Sequence, residues 1–497
     1  MTAILLAAAV ATVPAAPDML PADSLYQMAR AAEADTMYLS ADTLYRRAYE
    51  AFADEGDQSM ADSCRSAAYR MQRIALEHPF TRGEADSLLR ESCPWLSAGE
   101  RDRYFETGQM DRLHFQGEYR YFGECVQNLL YRNLDLMHEY ARRNDIGAPF
   151  VDGLSDIIHR PEGSGFPIRP WQPLIRPAEF LVEGSLTLSA EELPERGTLR
   201  IWLPVPLQST AQADPRVLSV SPQRYVRYPA TVHEDLGTLY MEVPLDSLEG
   251  DLEVSVKTVH THYQRSCRVD PELVGEYDTT APEYLRYTAQ GTNIVYTPEM
   301  RRLAEEVVGD EDNPYLQARL IYDYVVENIP YSNMPHMTLL ALGIPESVFC
   351  HEHGYGDCGT QSMYFSALCR SLGIPARACG GRQLVPGIQG AHFWAEFMVA
   401  GYGWVPADVT VAETADWSPF LSGEEARAFK DYFFGNLDPY RMVIQKDVNL
   451  PLSPDPGEQV AMETAIQFPA VVCSESPRDL SLSAAMGWEV RVTPMGR

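Results

Sequence analysis

Gly356-Asp357-Cys358-Gly359-Thr360-Gln361-Ser362 is the stretch on which the reading of this chain turns. Cys358 heads an apolar-periodic run, Met363, Tyr364, Ala367, Leu368 and Leu372, whose spacing predicts a buried helix. Asp357, just before it, is a helix-capping residue type. A thiol in the first turn of a helix feels the positive end of the peptide dipoles, which favours the thiolate. The first N–H groups of a helix lack intrahelical partners, so they face whatever bonds to that sulfur. Downstream, His392 leads His-Phe-Trp-Ala-Glu-Phe-Met-Val, a strand pattern. Asp408 closes a second short strand, Gly403-Trp404-Val405-Pro406-Ala407-Asp408, after the turn at 401–403. Adjacent strands would set His392 beside Asp408, a base beside the group that orients it, with Cys358 as nucleophile.

Four words in this order resemble the transglutaminase-like superfamily of papain-type cysteine enzymes: Gly356–Ser362, Leu368–Arg377, His392–Phe397 and Gly403–Asp408. The intervals of 34 residues from Cys358 to His392 and 16 from His392 to Asp408 suit that family. The resemblance implies a multidomain α+β protein of bacterial type with a papain-like core. It also implies a catalytic Cys358, His392 and Asp408 that form and resolve a thioester on peptide or protein amides. Peptidase-like hydrolysis is the first reading. Transamidation or deamidation of protein glutamine, or cleavage of a peptide-glycan amide, are its alternatives. A reading of another class is a non-catalytic binding or assembly protein with a closed cleft. The oxyanion donor expected from the main chain is the N–H of Cys358. Further oxyanion or cleft candidates are Tyr331, which fits an Ile-x-Tyr word of the family after Ile329, with Gly359 and Trp394. No cofactor is implied.

A metal reading competes for the same cysteine. Cys350, His351, His353 and Cys358 lie within nine residues and are all zinc-ligand types. Their spacing is not that of a zinc finger, and Cys358 is already taken by the nucleophile motif, so the expectation is no metal. The net charge of −30 argues against nucleic acid or an anionic membrane as partner, since both require clustered Lys and Arg. The nine cysteines are odd in number and lack the spacing of a disulfide framework, which fits one reactive thiol among buried free ones.

The 497 residues suit about three domains at roughly 150 residues each. Residues 1–17 contain a short apolar run at 3–13, followed by Pro14-Ala15-Ala16-Pro17, which reads as an export signal too short to span a bilayer. Export to the periplasm, cell surface or medium is the expectation. Residues 18–159 read as helices, among them 83–91, 97–107 and 119–144, forming a docking surface or a cap. Five prolines make 160–178 an extended linker. Alternating runs such as Leu199-Arg-Ile-Trp-Leu and Leu252-Glu-Val-Ser-Val make 179–268 a β-sandwich. Residues 269–497 are the core: helices after Thr297 and Asn313, a loop at 383–391 reading as a mobile rim, and strands from 440–497 completing its barrel side. No candidate catalytic residue precedes 270.

Overall fold

The computed structural model describes residues 20–159, 166–169, 172–457 and 460–495. The candidate export signal at 1–17, with residues 160–165, 170 and 171 of the expected linker, therefore lies outside the described residues. Helices Ala22–Ala34, Tyr38–Glu55 and Gln58–Glu77 pack around a shared core in which small residues (Ala29, Ala48, Ala61) alternate with Tyr45, Phe52 and Met71. The small side chains bring the helices close, and the large ones fill the remaining space. Helices Arg82–Ser92 and Ala98–Glu106 each open on a capping box, Thr81 with Glu84 and Ser97 with Glu100.

The single helix expected over 119–144 is instead a strand and two helices. Arg112–Phe115 and Glu118–Tyr121 form a hairpin, followed by Cys125–Arg132 and Leu134–Asn144. Gln116 and Gly117 take φ of 53° and 82°, the doubly left-handed turn that suits two tightly paired strands. Asn133 then ends one helix and caps the next by accepting from the Leu136 N–H. Helix Pro149–His159 departs from its helical neighbours: Val151, Leu154 and Ile157 join the core around helix Cys358–Ser371.

The second half of the expected linker is structured. Strand Gln172–Leu188 runs through its end, with a register shift between Ile175 and Pro177 where the ladder must yield to proline. It pairs with Leu252–Ser266 on one side and Trp488–Met495 on the other. A three-stranded sheet, Thr198–Pro204 between Thr238–Pro244 and Ala470–Val472, buries Leu199, Ile201, Met241 and Val471 against Leu186 and Val254 of the first sheet. The C-terminal strands thus go mainly to these sheets. Only Arg441–Gln445 completes the core, contrary to the reading of 440–497. Strand alternation shows which residues are apolar but not which partner they choose.

The core sheet runs Gly403–Ala407, Ile388–Val399, Ala376–Val385, Arg441–Gln445, all antiparallel. Helix Cys358–Ser371 packs on it with every residue after Cys358 buried. The loop expected at 383–391 is a hairpin closed by Pro386-Gly387, with Gly387 at φ 83°. Gly381 allows the edge strand to come close: a Cβ there would lie 1.9 Å from the Met442 carbonyl oxygen.

Candidate active site

Asp357 caps helix Cys358–Ser371 by accepting from the Thr360 N–H at 2.9 Å. This fixes Cys358 as the first helical residue, half-buried, while the other eight cysteines are buried. Gly359 sits under Phe393, whose ring would meet a Cβ at 3.4 Å. The backbone amides of Phe393 and Gly359 face the sulfur. The expected low thiol pKa is not present in this resting state. Burial pushes the Cys358 thiol well above its ordinary value, helped by the charges of Asp357 and Asp408 and opposed by the two amides.

Pairing of Ala395 with Ala407 brings the two short strands together as expected. The buried His392 Nε2 and Asp408 Oδ2 lie 2.9 Å apart. Nε2 is thereby committed to Asp408, which favours the tautomer carrying its proton there. Asp408 also accepts from the Val411 N–H at 3.1 Å and lies 2.7 Å from Arg441 Nη1. Burial alone would raise its pKa, but His392, Arg441 and that amide outweigh burial and hold it at about 2.

Cys358, Gly359 and Tyr331 line one pocket of about 210 Å³ with His336, Asp357, Phe393 and the segment 461–468. Tyr331 runs beside Gly356 in a one-residue bridge, and its ring packs edge-on against Tyr131 at 5.1 Å. Trp394 is elsewhere: it is 2% exposed, lies under the Arg441 guanidinium at 5.0 Å, and borders a separate cavity of about 530 Å³ with Arg377 and Trp404. It shares a strand face with His392, whose ring centroid lies 6.2 Å away, and it does not line the pocket beside Cys358. The zinc-type cluster does not gather either. His351 Nδ1 meets the Tyr364 hydroxyl at 3.2 Å, His353 stacks on Phe349 at 3.9 Å, and Cys350 is buried. Among the described residues no group of three His, Cys, Asp or Glu is arranged to hold a metal, and no helix is long and apolar enough to cross a membrane.

Residues 301–409 match the family model of the transglutaminase-like superfamily. The transglutaminase-like part of the chain is that segment, which contains Cys358, His392 and Asp408. The chain is 25% identical over 279 residues to an uncharacterized protein of Haemophilus influenzae, covering 49% of this chain and 72% of that one. Among solved structures it is similar to a candidate cysteine protease from Cytophaga hutchinsonii (TM-score 0.41, 14% identity, 66% of this chain and 93% of that one). It is also similar to the periplasmic domain of TgpA from Pseudomonas aeruginosa (TM-score 0.24, 17% identity, 47% of this chain and 89% of that one).

The site holds two groups that sequence reasoning missed. Arg441 lies 33 residues beyond Asp408, at the start of the stretch 440–497 read as strands but not as part of the site, and pairs with Asp438 at 2.7 Å as well as with Asp408. The Gly380-Gly381 pair was a signal that a strand passes close by. His336 bridges two carboxylates, with Nδ1 2.7 Å from Glu346 Oε1 and Nε2 2.7 Å from Asp357 Oδ2. Burial opposes its charge, but Asp357 and Glu346 prevail and hold its pKa well above the ordinary value. Glu346 in turn accepts from the Thr360 hydroxyl at 2.6 Å. The spacing of His336 and Glu346 on two short helices carries no periodic signal.

Proposed function

We propose that the protein is a cysteine-nucleophile hydrolase or acyltransferase acting on peptide or protein amides, with hydrolysis as its reaction. The observation that carries this reading is the buried His392–Asp408 pair at 2.9 Å beside a helix whose first residue, Cys358, opens onto a pocket. The non-catalytic reading required a closed cleft, and the pocket beside the thiol favours the enzyme.

In this reading Cys358 is the nucleophile, His392 the base and Asp408 the orienting group. Burial holds the Cys358 thiol up, so the nucleophile starts as the thiol. As the sulfur attacks the acyl carbon, His392 Nδ1 takes the thiol proton, and Asp408, held ionised, stabilises the imidazolium that forms. The Cys358 N–H, first in its helix and without an intrahelical partner, is the main-chain donor for the oxyanion. Collapse of the tetrahedral species expels the amine, which takes the proton from His392, and leaves a thioester. Water, deprotonated by His392, then releases the acid and restores the thiol; an amine in place of water would give transamidation.

The test is alkylation by iodoacetamide, mapped cysteine by cysteine. The eight buried cysteines are internal controls. The reading expects modification confined to Cys358, slowed in His392→Ala, and loss of peptide-amide hydrolysis in Cys358→Ala. Equal alkylation of Cys358 in the wild type and in His392→Ala would overturn the assignment of His392 as base.

A further inference from the structure

The N-terminal helices reach the active-site pocket. The segment 331–338 supplies Tyr331 and His336 to its wall, and three side chains from 77–131 hold that segment. Glu77, at the end of helix Gln58–Glu77, accepts from the Met337 N–H at 3.0 Å and the Thr338 N–H at 2.7 Å. These are the first amides of helix His336–Leu342, whose own preceding residue, Pro335, offers no side-chain acceptor. A carboxylate from 260 residues upstream does the capping instead. Asn128 grips the same segment at both polar atoms of one residue, accepting from the Asn333 N–H at 2.7 Å and donating to the Asn333 carbonyl at 2.9 Å. Tyr131 closes the set against Tyr331 and, at 4.7 Å, Trp417. Beyond the clamp the contacts continue to the nucleophile: His336 binds Asp357, and Asp357 caps the helix that begins with Cys358.

We propose that the helical region is an integral part of the active site, with Glu77 as a positioning residue that sets His336, and through it Asp357, against the head of the Cys358 helix. This rests on the enzyme reading above and extends it. It revises the view of that region as a separable cap or dock. Two hydrogen bonds to one carboxylate and two to one amide fix the segment in position and orientation, which a cap that merely covered the core would not require. Loss of the clamp leaves the thiol and the His392–Asp408 pair in place but releases one wall of the pocket and the partner of Asp357.

The experiment uses the full chain, with Glu77→Gln, His336→Gln and the double variant. Glu77→Gln keeps the shape but replaces one acceptor by a donor facing a peptide N–H. Peptide-level hydrogen exchange over 331–342, kcat and KM for p-nitrophenyl acetate, and the pH profile of Cys358 alkylation by iodoacetamide are read together. The expected result is faster exchange in 331–342 and a kcat reduced about tenfold with KM changed by less than about threefold. The alkylation profile should be displaced in the same direction as in His336→Gln. The double variant should be no worse than His336→Gln alone, because the two residues act along one chain of contacts. Wild-type exchange and kcat in folded Glu77→Gln would overturn the proposal, as would single effects that multiply in the double variant. Should Glu77→Gln not fold, Asn128→Asp, which keeps the acceptor for the Asn333 N–H and loses the donor to its carbonyl, decides by the same readouts. A wild-type protein inert toward the ester and iodoacetamide would refute the enzyme reading, while the exchange arm would still decide whether the clamp exists.

Discussion

Arg441 Nη1 and Asp408 Oδ2 stand 2.7 Å apart with both side chains fully buried. The same guanidinium reaches Asp438 at 2.7 Å and lies over Trp394. One cation therefore serves two buried carboxylates, one of which orients His392. Arg441→Met removes that cation and leaves two charges unpaired inside the protein. Breaking a buried pair in this way costs about 3–5 kcal/mol. The urea midpoint of the variant should fall accordingly, and a loss under about 1 kcal/mol would show that Arg441 does not carry this load.

Asp408→Asn keeps the shape of the site but loses the charge that opposes the imidazolium and fixes its tautomer. It should lower kcat by about 10⁴-fold with little change in KM. Steady-state kinetics on a peptide amide check this, and near-wild-type kcat would remove Asp408 from the mechanism.

The pH dependence of the thiol follows from its surroundings. Burial, with Asp357 and Asp408, raises the Cys358 pKa, so the thiolate fraction at neutral pH is small and grows only under alkaline conditions. Alkylation by iodoacetamide should keep rising beyond about pH 8.5, the ordinary thiol value. A plateau already reached near neutrality would show a pre-formed thiolate–imidazolium pair.

Acid stability has the opposite sign. Burial would raise the carboxyls of Asp408 and Glu396, but His392 and Arg441 hold the first at about 2, and Arg377 and Arg265 hold the second there. A depressed carboxylate contributes stability that is full above its unfolded value near 4 and fades as pH falls toward 2. Asp408→Asn should flatten part of that fall in an acid titration followed by circular dichroism. An unchanged slope would mean that Asp408 is not depressed.

Gly381→Ala tests the close approach of the edge strand. The added methyl meets the Met442 carbonyl oxygen at 1.9 Å, so strand Arg441–Gln445 must shift and carry Arg441 away from Asp408. Both stability and kcat should drop, as in Arg441→Met. A variant with wild-type melting and turnover would show that the sheet yields without disturbing the pair.

The Cys358 helix, the His392 strand and the Asp408 strand were legible in the sequence because each is a local pattern bounded by recognisable residues. The helices after Thr297 and Asn313 were legible for the same reason, since each opens on the proline that follows, Pro298 and Pro314. What was not legible depends on contacts between distant segments. Glu77 looks like one more acidic helix terminus until Met337 and Thr338 are placed against it. Arg441 looks like one more strand residue until Gly381 lets its strand approach. Strands 470–472 and 488–495 have ordinary alternation, and only the sheet shows that they join Thr198–Pro204 and Gln172–Leu188. Trp394 shares the strand face of His392, and only the packed structure shows that it borders a different cavity from the one beside Cys358.

The most direct measurement of the central claim is mass-spectrometric trapping of an acyl-enzyme. The full chain is mixed with p-nitrophenyl acetate, quenched in acid, and digested to locate the acetyl group. The account predicts a burst of nitrophenolate of about one equivalent and an acetyl thioester on the peptide bearing Cys358, both absent in Cys358→Ala and strongly slowed in His392→Ala. Turnover of the ester with no acyl group on Cys358, or undiminished in Cys358→Ala, would contradict it.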